Sequence, residues 1–404
     1  MRLLIINQFY KPDISATAHL AASLAEHRAQ RGDHVTVIAS QGGYLPSSEL
    51  VKADPTDNPV VKRIWTPRLG KATLLNRATD YGTFYLFGSL ASMRLPRQDA
   101  IIAMTTPPAI GWAGVLHRMM HPHTKLILWN MDCYPELGEA TGVVKFGGLI
   151  SRTLRAANGG VFRHLDHLVC LDSSMARLLH RNYVKGRRNL PTTIIPNWEP
   201  ASLYPADVQP PPWAPAENLD LHGCFTVLYL GNIGAAYHFD TLIEVAEIML
   251  DDPVRFLIVG SGAQWDYVVQ AVAERSLHNI IMHGYVPKEH TPSVIATADC
   301  SYVSLNQRCD GMCSPSKLHA TLAMGLPVIF TGPEGGNVDE AITQFGCGVS
   351  LRQGQALEIA SFLRALMQNP VQLATLGKNA RRAFEQAYCD TRVLPKFDRL
   401  LENL

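Results

Sequence analysis

The chain lacks the two glycine-rich motifs that most often mark a nucleotide site. No Gly-x-Gly-x-x-Gly follows the first predicted strand, where Asn7-Gln8-Phe9-Tyr10-Lys11 stands instead, and no Gly-x4-Gly-Lys-Ser/Thr phosphate loop occurs. In both motifs the glycines let backbone N–H groups approach a pyrophosphate closely. Their absence disfavours a nicotinamide-dependent dehydrogenase and a nucleoside triphosphatase.

The chain also lacks a net charge, because 36 Lys and Arg stand against 35 Asp and Glu. An apolar fraction of 47% excludes a disordered chain, and the near-neutral total argues against a nucleic-acid partner. The two halves of the chain, however, have opposite net charges. Residues 1–200 carry 23 Lys and Arg against 14 Asp and Glu, a net +9, whereas residues 201–404 carry 13 against 21, a net −8. This asymmetry predicts a charged surface as a partner of the first half.

Cysteines are few, and no signal-peptide core is evident. Eight cysteines are scattered over 404 residues. Cys309, Cys313 and His319 lack the second paired cluster of a typical metal site, so we expect reduced thiols and neither a metal nor another cofactor. Met1 and Arg2 lead directly into Leu3–Ile6, which is shorter than the apolar core of a signal peptide. We therefore expect a cytoplasmic protein.

No apolar run is long enough to cross a bilayer. The uncharged stretch 100–117 is interrupted by Thr105-Thr106-Pro107-Pro108, and the uncharged stretch Tyr81–Met93 has only 13 residues. Basic residues flank the second stretch: Arg68, Lys71, Arg77, Arg94 and Arg97. Such a stretch is typical of an ordinary core helix, and also of a helix lying in the interface of an anionic leaflet. The sequence leaves both interpretations open.

What the chain does have is an alternation of short apolar strands and helices, which predicts parallel sheets covered on both faces. The predicted strands are 3–6, 35–39, 60–65, 100–104, 125–130, 168–171, 192–195, 226–230, 255–259, 279–283, 300–305, 327–330 and 348–351. The predicted helices are 15–31, 148–158, 173–183, 240–250, 264–275, 316–324, 355–368, 371–387 and 391–402. Ser15 can cap the first of them, and Gly32 ends it. Six prolines in residues 199–215 interrupt the alternation. We predict an α/β protein with two doubly wound Rossmann-like domains, 1–198 and 224–386, joined by a Pro-rich linker at 199–223.

Three segments of the second half suit phosphate groups. Gly231-Asn232-Ile233-Gly234 and Gly260-Ser261-Gly262 each follow a predicted strand. Ser314-Pro315-Ser316-Lys317 opens a predicted helix, which Ser314 or Ser316 can cap. A helix N-terminus beside an ammonium group attracts a diphosphate, so Lys317 is the strongest of these signals.

These segments, together with several others in the same order and spacing, resemble glycosyltransferase family 4 of the GT-B fold. The resemblance is strongest to members that assemble bacterial capsule, O-antigen or exopolysaccharide. The matching segments are 9–14, 106–108, 129–136, 229–234, 240–242, 283–287 and 315–328. The resemblance implies two domains facing a cleft, and a final segment 387–404 that forms a helix returning to the first domain.

The resemblance also implies a nucleotide-sugar donor held by the second domain and an acceptor, often a lipid-linked saccharide, held by the first. Gly284, Tyr285 and Val286 are expected to line the nucleobase pocket. The diphosphate is expected to face Gly231, Asn232, Gly234, Ser316 and Lys317, with Arg308 a further candidate. The resemblance further implies a reaction that retains the anomeric configuration.

Asp132, just after the strand 125–130, is our candidate for orienting or deprotonating the acceptor hydroxyl. The alternative interpretation is a surface aspartate that caps a turn before Pro135. Glu136 and His19 are weaker contenders for the role of Asp132. Ser15, Thr106 and Glu136 are the candidate acceptor-binding residues.

The chain departs from the family pattern at two positions. Many members carry Glu-x7-Glu, in which the second Glu holds the ribose and the first contacts the donor sugar. Met312 and Ala320 occupy these positions here. Asp310 and His319 lie close enough in sequence to be substitutes.

The expected function is therefore that of a glycosyltransferase on the inner face of the plasma membrane, peripheral to an anionic lipid surface. Two alternatives remain open on the sequence. One is a nucleotide-sugar 2-epimerase, which shares the fold but needs no membrane partner. The other is a GT-B pseudoenzyme that binds a nucleotide sugar or a partner without catalysis.

Overall fold

The computed structural model describes residues 1–13, 15–41, 57–67, 69, 74–184, 189–208 and 210–404. Within them the chain divides into two compact units. The N-terminal unit contains Met1–Pro196, Gly311–Cys313 and Leu394–Leu404, and the C-terminal unit contains Asn197–Asp310 and Ser314–Val393.

The N-terminal unit is built on a seven-stranded, fully parallel sheet in the order β3-β2-β1-β4-β5-β6-β7. Its strands are β1 (Arg2–Ile6), β2 (His34–Ser40), β3 (Val60–Ile64), β4 (Ala100–Ala103), β5 (Lys125–Trp129), β6 (His167–Cys170) and β7 (Thr192–Ile194). Strand β1 is central, and its residues Leu3–Ile6 are completely buried. Strands without polar alternation fold in this way because helices cover both faces of the sheet.

The helices of this unit are α1 (Ala16–Gln30), α2 (Leu74–Met93), α3 (Gly111–Met120), α4 (Glu136–Ala140), α5 (Leu149–His164) and α6 (Ser173–Leu179). Ser15 caps α1 as predicted, since its hydroxyl accepts a hydrogen bond from the Ala18 N–H at 3.2 Å. Gly32 follows the end of this helix with a φ of +91°. Helix α3 packs against both α2 and α5. These three helices lie on the sheet face opposite α1, because right-handed crossovers in this strand order place them there.

The C-terminal unit repeats the design with a six-stranded parallel sheet in the order β10-β9-β8-β11-β12-β13. Its strands are β8 (Phe225–Leu230), β9 (Val254–Val259), β10 (Ile280–His283), β11 (Cys300–Ser304), β12 (Val328–Thr331) and β13 (Gly348–Leu351). Its helices are α7 (Asp240–Ile248), α8 (Trp265–Glu274), α9 (Thr291–Ile295), α10 (Lys317–Ala323), α11 (Asn337–Phe345), α12 (Ala356–Gln368) and α13 (Pro370–Ala383). All thirteen predicted strands are present, which confirms the prediction of two doubly wound α/β sheets.

The last helix, α14 (Asp390–Glu402), is divided between the units: its residues from Leu394 onward belong to the N-terminal unit. There, Asp398 accepts a hydrogen bond from Arg28 at 2.7 Å, and the Phe397 ring packs edge-to-face on Trp129, 4.8 Å between centroids. The described part of the predicted linker contains two 3₁₀ turns, Ala201–Leu203 and Ala214–Asn218, and belongs to the C-terminal unit.

The helix predicted within Tyr81–Met93 is longer than that stretch and has two different apolar faces. Phe84 and Ser92 are buried on one face of α2, whereas Leu86, Phe87 and Leu90 are 58%, 41% and 36% exposed on another. One face of α2 therefore packs in the core, whereas the other face is exposed, and a location in the membrane interface stays a prediction. The predicted basic residues Arg68 and Lys71, and the side chain of Arg77, lie outside the described residues.

Candidate active site

Two glycine loops meet at the carboxyl ends of β8 and β9. Gly231 follows β8 with a φ of +120°, and Gly260 follows β9 with a φ of +149°. A β-carbon on Gly260 would lie 2.0 Å from the Gly231 carbonyl oxygen. The Ile233 N–H donates to the Ser261 carbonyl at 2.9 Å and ties the two loops together. Glycine is therefore required at position 260 by both backbone conformation and space.

Lys317, the first residue of α10, lies against this loop. A β-carbon on Gly231 would be 3.4 Å from the Lys317 Cε. The Lys317 Nζ lies 3.4 Å from the centroid of the Tyr237 ring and 5.0 Å from that of Tyr229, a cation–π arrangement. The ammonium group is thus held at the carboxyl end of β8. Because the strand order reverses between β8 and β11, this is the position where open α/β sheets bind ligands.

The other predicted donor-binding residues lie at the same edge of the sheet. Gly284–Val286 directly follow β10, and Gly260 N–H donates to the His283 carbonyl just before them at 2.9 Å. Tyr285 is 58% exposed. Arg308 lies in a 3₁₀ turn, Gln307–Cys309, after β11 and is exposed, as is Ser316 before α10. The structure therefore places the predicted donor-binding residues, including Asn232 and Gly234, along one carboxyl edge.

The predicted side-chain cap of α10 is wrong. Ser316 occupies the N-cap position with helical backbone angles, φ −67° and ψ −17°, and its side chain makes no capping hydrogen bond. The Ser314 hydroxyl instead accepts a hydrogen bond from the Asn337 side chain at 3.0 Å. With only seven residues, α10 has a weak dipole, so the Lys317 ammonium is the main positive group described at this point.

In the N-terminal unit, Asp132 follows β5 at the carboxyl edge and is half-buried. The Thr105 hydroxyl oxygen accepts hydrogen bonds from the Met131 N–H at 3.0 Å and the Asp132 N–H at 3.1 Å. Thr105 itself follows β4, so the ends of two neighbouring strands are joined at this residue. The backbone that carries Asp132 is thereby held in one position.

Asp132 lines a small pocket of the N-terminal unit together with Thr105, Ala109, Tyr134 and Asn158. Ala109 has a left-handed backbone with φ of +62°, which is unusual for a residue with a side chain. Asn158 donates to the Tyr134 carbonyl at 2.6 Å and so holds the opposite wall. The role of Asp132 as a general base remains a prediction.

Glu136 is only 4% exposed and lies in a polar network. One carboxylate oxygen accepts hydrogen bonds from Arg155 at 2.8 Å, Asn182 at 2.9 Å and Tyr183 at 2.8 Å. Arg155 also bonds Glu139. Burial alone would raise the pKa of Glu139, but hydrogen bonds from Ser151, the Gly147 N–H and Arg155 outweigh it and lower that pKa.

The remaining acceptor candidates have structural partners of their own. The half-buried Ser15 is the cap of α1. Thr106 accepts a hydrogen bond from the Gln8 N–H at 2.9 Å through its carbonyl oxygen, which links the ends of β1 and β4. His19 is half-buried on α1. Their roles toward an acceptor remain predictions.

The two positions that depart from the Glu-x7-Glu pattern lie in different units. Met312 belongs to the N-terminal unit, where its carbonyl accepts a hydrogen bond from the Cys133 N–H at 2.7 Å. Ala320 is on α10. The suggested substitute His319 is 1% exposed, and its ring packs 5.5 Å from that of Tyr388. Burial lowers the pKa of His319 to about 4, so its ring is neutral at neutral pH. Asp310 is exposed and remains a candidate.

Several residues of these two sites were missed by sequence reasoning: Thr105, Ala109, Asn158, Tyr229 and Tyr237. Thr106 is a candidate because the family resemblance covers the Thr106-Pro107-Pro108 turn, whereas the neighbouring Thr105 lies outside the matching segment. The aromatic partners of Lys317 lie about 80 residues away in the sequence and carried no local signal.

Within the described residues, no group of three or more His, Cys, Asp or Glu side chains is placed to hold a metal ion. The expectation that no cofactor is needed remains a prediction. Among the helices the structure describes, none combines the length and apolar character needed to cross a membrane.

The chain belongs to the glycosyltransferases. A family model described as "Glycosyl transferase 4-like domain" matches residues 16–198, and one described as "Glycosyl transferases group 1" matches residues 224–369. The protein is accordingly an enzyme of the hexosyl-type glycosyltransferase class.

Two bacterial relatives are each 24% identical to the chain. One is a Pseudomonas aeruginosa protein named as a probable glycosyltransferase, WbjE, over 82% of this chain and 81% of the relative. The other, from Escherichia coli (strain K12), is named as a putative colanic acid biosynthesis glycosyl transferase, WcaI, over 86% of this chain and 85% of the relative.

Solved structures share the fold. The sucrose-phosphate synthase of Thermosynechococcus elongatus matches with a TM-score of 0.78 at 16% identity, over 100% of this chain and 98% of that chain. HepE from Anabaena, solved with UDP and glucose, matches with a TM-score of 0.70 at 14% identity, over 100% of both chains. These neighbours confirm the predicted fold class.

Proposed function

We propose that the protein transfers a sugar, with retention of anomeric configuration, from a nucleotide-sugar donor to a lipid-linked saccharide during assembly of a bacterial surface polysaccharide. The observation that carries the proposal is the Lys317 ammonium, held by Tyr237 against Gly231 at the strand-order reversal of the C-terminal sheet. The relative named for colanic acid biosynthesis and the UDP complex of HepE support the choice of pathway and donor.

On the donor side, Lys317 neutralises the negative charge that builds up on the nucleoside diphosphate as the bond to the sugar breaks. Backbone groups of Gly231, Asn232 and Gly234 approach the diphosphate, and Ser316 contributes a hydroxyl. Gly284–Val286 hold the nucleobase, and the exposed Arg308 reaches toward the phosphates. Residues 201–404 have a net charge of −8, which would repel an anionic donor. The donor is therefore held by positive groups within the site itself and not by the overall charge of this half.

On the acceptor side, Asp132 orients or deprotonates the acceptor hydroxyl. Ser15, Thr106 and Glu136 complete the acceptor site, Glu136 through the network with Arg155 that supports the turn after Asp132. We assign no metal or other cofactor to either site.

The acceptor requires a membrane surface, and we assign this contact to the α2 patch, defined as Trp65, Leu86, Phe87 and Leu90. Trp65 is 57% exposed, and its ring lies 6.4 Å from that of Phe87. The exposed Arg94 and Arg97 follow the helix. Apolar side chains beside arginines suit the interface of an anionic leaflet on the inner face of the plasma membrane.

The test incubates the purified protein with UDP-, GDP- and dTDP-sugars and a lipid-linked acceptor, and measures release of nucleoside diphosphate and the anomeric configuration of the product. Lys317→Ala and Asp132→Asn are compared with the exposed-site controls Lys378→Ala and Asp207→Asn. Equal activity of the site variants and the wild type would contradict the assignment. Donor epimerised without acceptor would favour the 2-epimerase, and binding without turnover would favour the pseudoenzyme.

The membrane contact is tested separately by flotation with vesicles of phosphatidylethanolamine and phosphatidylglycerol. We expect binding that weakens with salt and with Leu86→Ser/Phe87→Ser. If these substitutions leave binding unchanged, the α2 patch is not the contact.

A further inference from the structure

The two most exposed large apolar side chains of the described residues lie close together in the sequence, outside both sites. Phe146 is 82% exposed and Leu149 is 81% exposed, and Ile150 and Val143 nearby are 58% and 45% exposed. We call residues 143–150, which end in the first turn of α5, the 143–150 segment. A cluster of exposed apolar side chains of this kind is typical of a surface that contacts a membrane or another protein.

The segment is held in place, so its exposure is a feature of the fold. The Gly147 N–H donates to the Glu139 carboxylate at 3.0 Å, and the Ser151 hydroxyl donates to the same oxygen. The Val144 N–H donates to the Gly138 carbonyl at 2.9 Å, and the Gly148 N–H to the Lys145 carbonyl at 3.0 Å. These bonds fix the backbone while Phe146 and Leu149 point away from the unit.

The charged residues around the segment indicate which kind of partner covers it. Residues 141–165 contain Lys145, Arg152, Arg155 and Arg163 and no Asp or Glu. Lys145 and Arg152 are exposed beside the apolar side chains. An apolar tip with basic neighbours matches a bilayer in which hydrocarbon lies beneath anionic headgroups.

The segment is linked through helix α4 to the candidate acceptor site. Helix α4 begins four residues after Asp132, and Arg155 of α5 bonds both Glu136 and Glu139 of α4. The segment is therefore braced to the turn that carries Asp132.

We propose that the 143–150 segment inserts Phe146 and Leu149 into the interface of an anionic bilayer and so forms a second membrane contact beside the acceptor site. This inference rests on the proposed function, from which it takes the lipid-linked acceptor. It adds a contact that the α2 patch does not include.

The experiment measures binding of the full chain to vesicles of phosphatidylethanolamine and phosphatidylglycerol by sedimentation. We expect Phe146→Ser/Leu149→Ser to weaken binding at least about tenfold, since two large apolar side chains no longer leave water. The matched control is Leu357→Ser/Val371→Ser, which removes side chains that are 68% and 76% exposed in the C-terminal unit. We expect the control to bind like the wild type.

A second measurement reports insertion directly. In Phe146→Trp, the fluorescence gained over the wild type is expected to be quenched by vesicles with brominated acyl chains, whereas that gained in Leu357→Trp is not. The inference is overturned if vesicle binding survives Phe146→Ser/Leu149→Ser, or if bromine leaves the fluorescence gained in Phe146→Trp unquenched. Either result leaves the α2 contact intact.

Failure of the proposed function has a different signature. If the wild type does not bind the vesicles, both membrane contacts are overturned, whatever the donor assay shows. If the wild type releases no nucleoside diphosphate from any donor but the fluorescence gained in Phe146→Trp is quenched, the proposed transfer fails and the membrane insertion of this segment stands.

Discussion

The Lys317 ammonium lies 3.4 Å from the centre of the Tyr237 ring, and the Lys317 side chain lies against the glycine loop after β8. The face of the ring attracts the ammonium group and helps to hold the long side chain in one place. A positive group held ready in this way stabilises a departing diphosphate without reorganising during the reaction.

This arrangement predicts that Tyr237→Leu lowers the rate of nucleoside diphosphate release by about fivefold, since the cation–π interaction is worth on the order of 1 kcal/mol. Tyr237→Phe keeps the ring and is the matched control. Lys317→Ala is expected to lower the rate by about a hundredfold or more, measured as kcat on the best donor. Equal kcat values for Tyr237→Leu and Tyr237→Phe would show that the ring does not position the lysine.

Thr105 is predicted to position Asp132. Thr105→Val leaves two backbone N–H groups without their acceptor, at about 2 kcal/mol. We expect a lower kcat with a smaller change in the donor KM, and a shifted pH profile of kcat, because the Asp132 carboxylate moves. Thr105→Ser retains the hydroxyl and should restore both. A purely structural role would lower the unfolding temperature of Thr105→Val and leave the pH profile of the remaining activity unchanged.

Gly260 is predicted to tolerate no side chain. In Gly260→Ala the new β-carbon would lie 2.0 Å from the Gly231 carbonyl oxygen, at a φ of +149°. We expect the free energy of unfolding to fall by about 3 kcal/mol or more, measured by urea denaturation. Gly284→Ala is the control, since no atom lies within 4 Å of its β-carbon. Similar losses in the two variants would contradict the steric argument.

His319 is predicted to make the protein sensitive to acid. Its folded-state pKa is about 4, against an ordinary value of 6.5, because burial disfavours the charged ring. The unfolded chain therefore takes up a proton at a higher pH than the folded chain. Stability is fully present above pH 6.5 and is lost as the pH falls toward 4, by on the order of 3 kcal/mol. The free energy of unfolding, measured at several pH values between 4 and 6.5, should change less with pH in His319→Gln than in the wild type. The same dependence on pH in both proteins would contradict the prediction.

Asp398 is predicted to anchor the end of the last helix to the N-terminal unit. Burial would raise its pKa, but hydrogen bonds and charge from His27 and Arg28 outweigh this effect and lower it. The stabilisation by Asp398 is therefore fully present above the ordinary pKa of an aspartate and is lost as the pH falls from there through the lowered pKa of the folded state. We expect Asp398→Asn to lower the free energy of unfolding by about 3 kcal/mol at neutral pH. Hydrogen exchange of residues 394–404 should rise, whereas Glu402→Gln, at an exposed pair with Arg31, should change little.

Sequence reasoning predicted the elements that depend on local pattern. Buried parallel strands read as continuous apolar runs, so the strands, the two sheets and the glycine loops after β8 and β9 could be predicted. Ser15 and Gly32 at the ends of α1 were predicted for the same reason, since capping involves only neighbouring residues. The predicted N-terminal cap of α10 was wrong because a more distant residue, Asn337, binds the Ser314 hydroxyl.

The sequence by itself thus determined the fold class, the family and the strand ends where chemistry is expected. Only the tertiary structure decided which side chains meet there: Tyr237 with Lys317, Thr105 with the backbone of Asp132, and Tyr388 with the buried His319. It also decided that Phe146 and Leu149 face outward. The physical reason is that hydrophobic periodicity and capping act over a few residues, whereas burial and pairing depend on residues that the chain brings together from far apart.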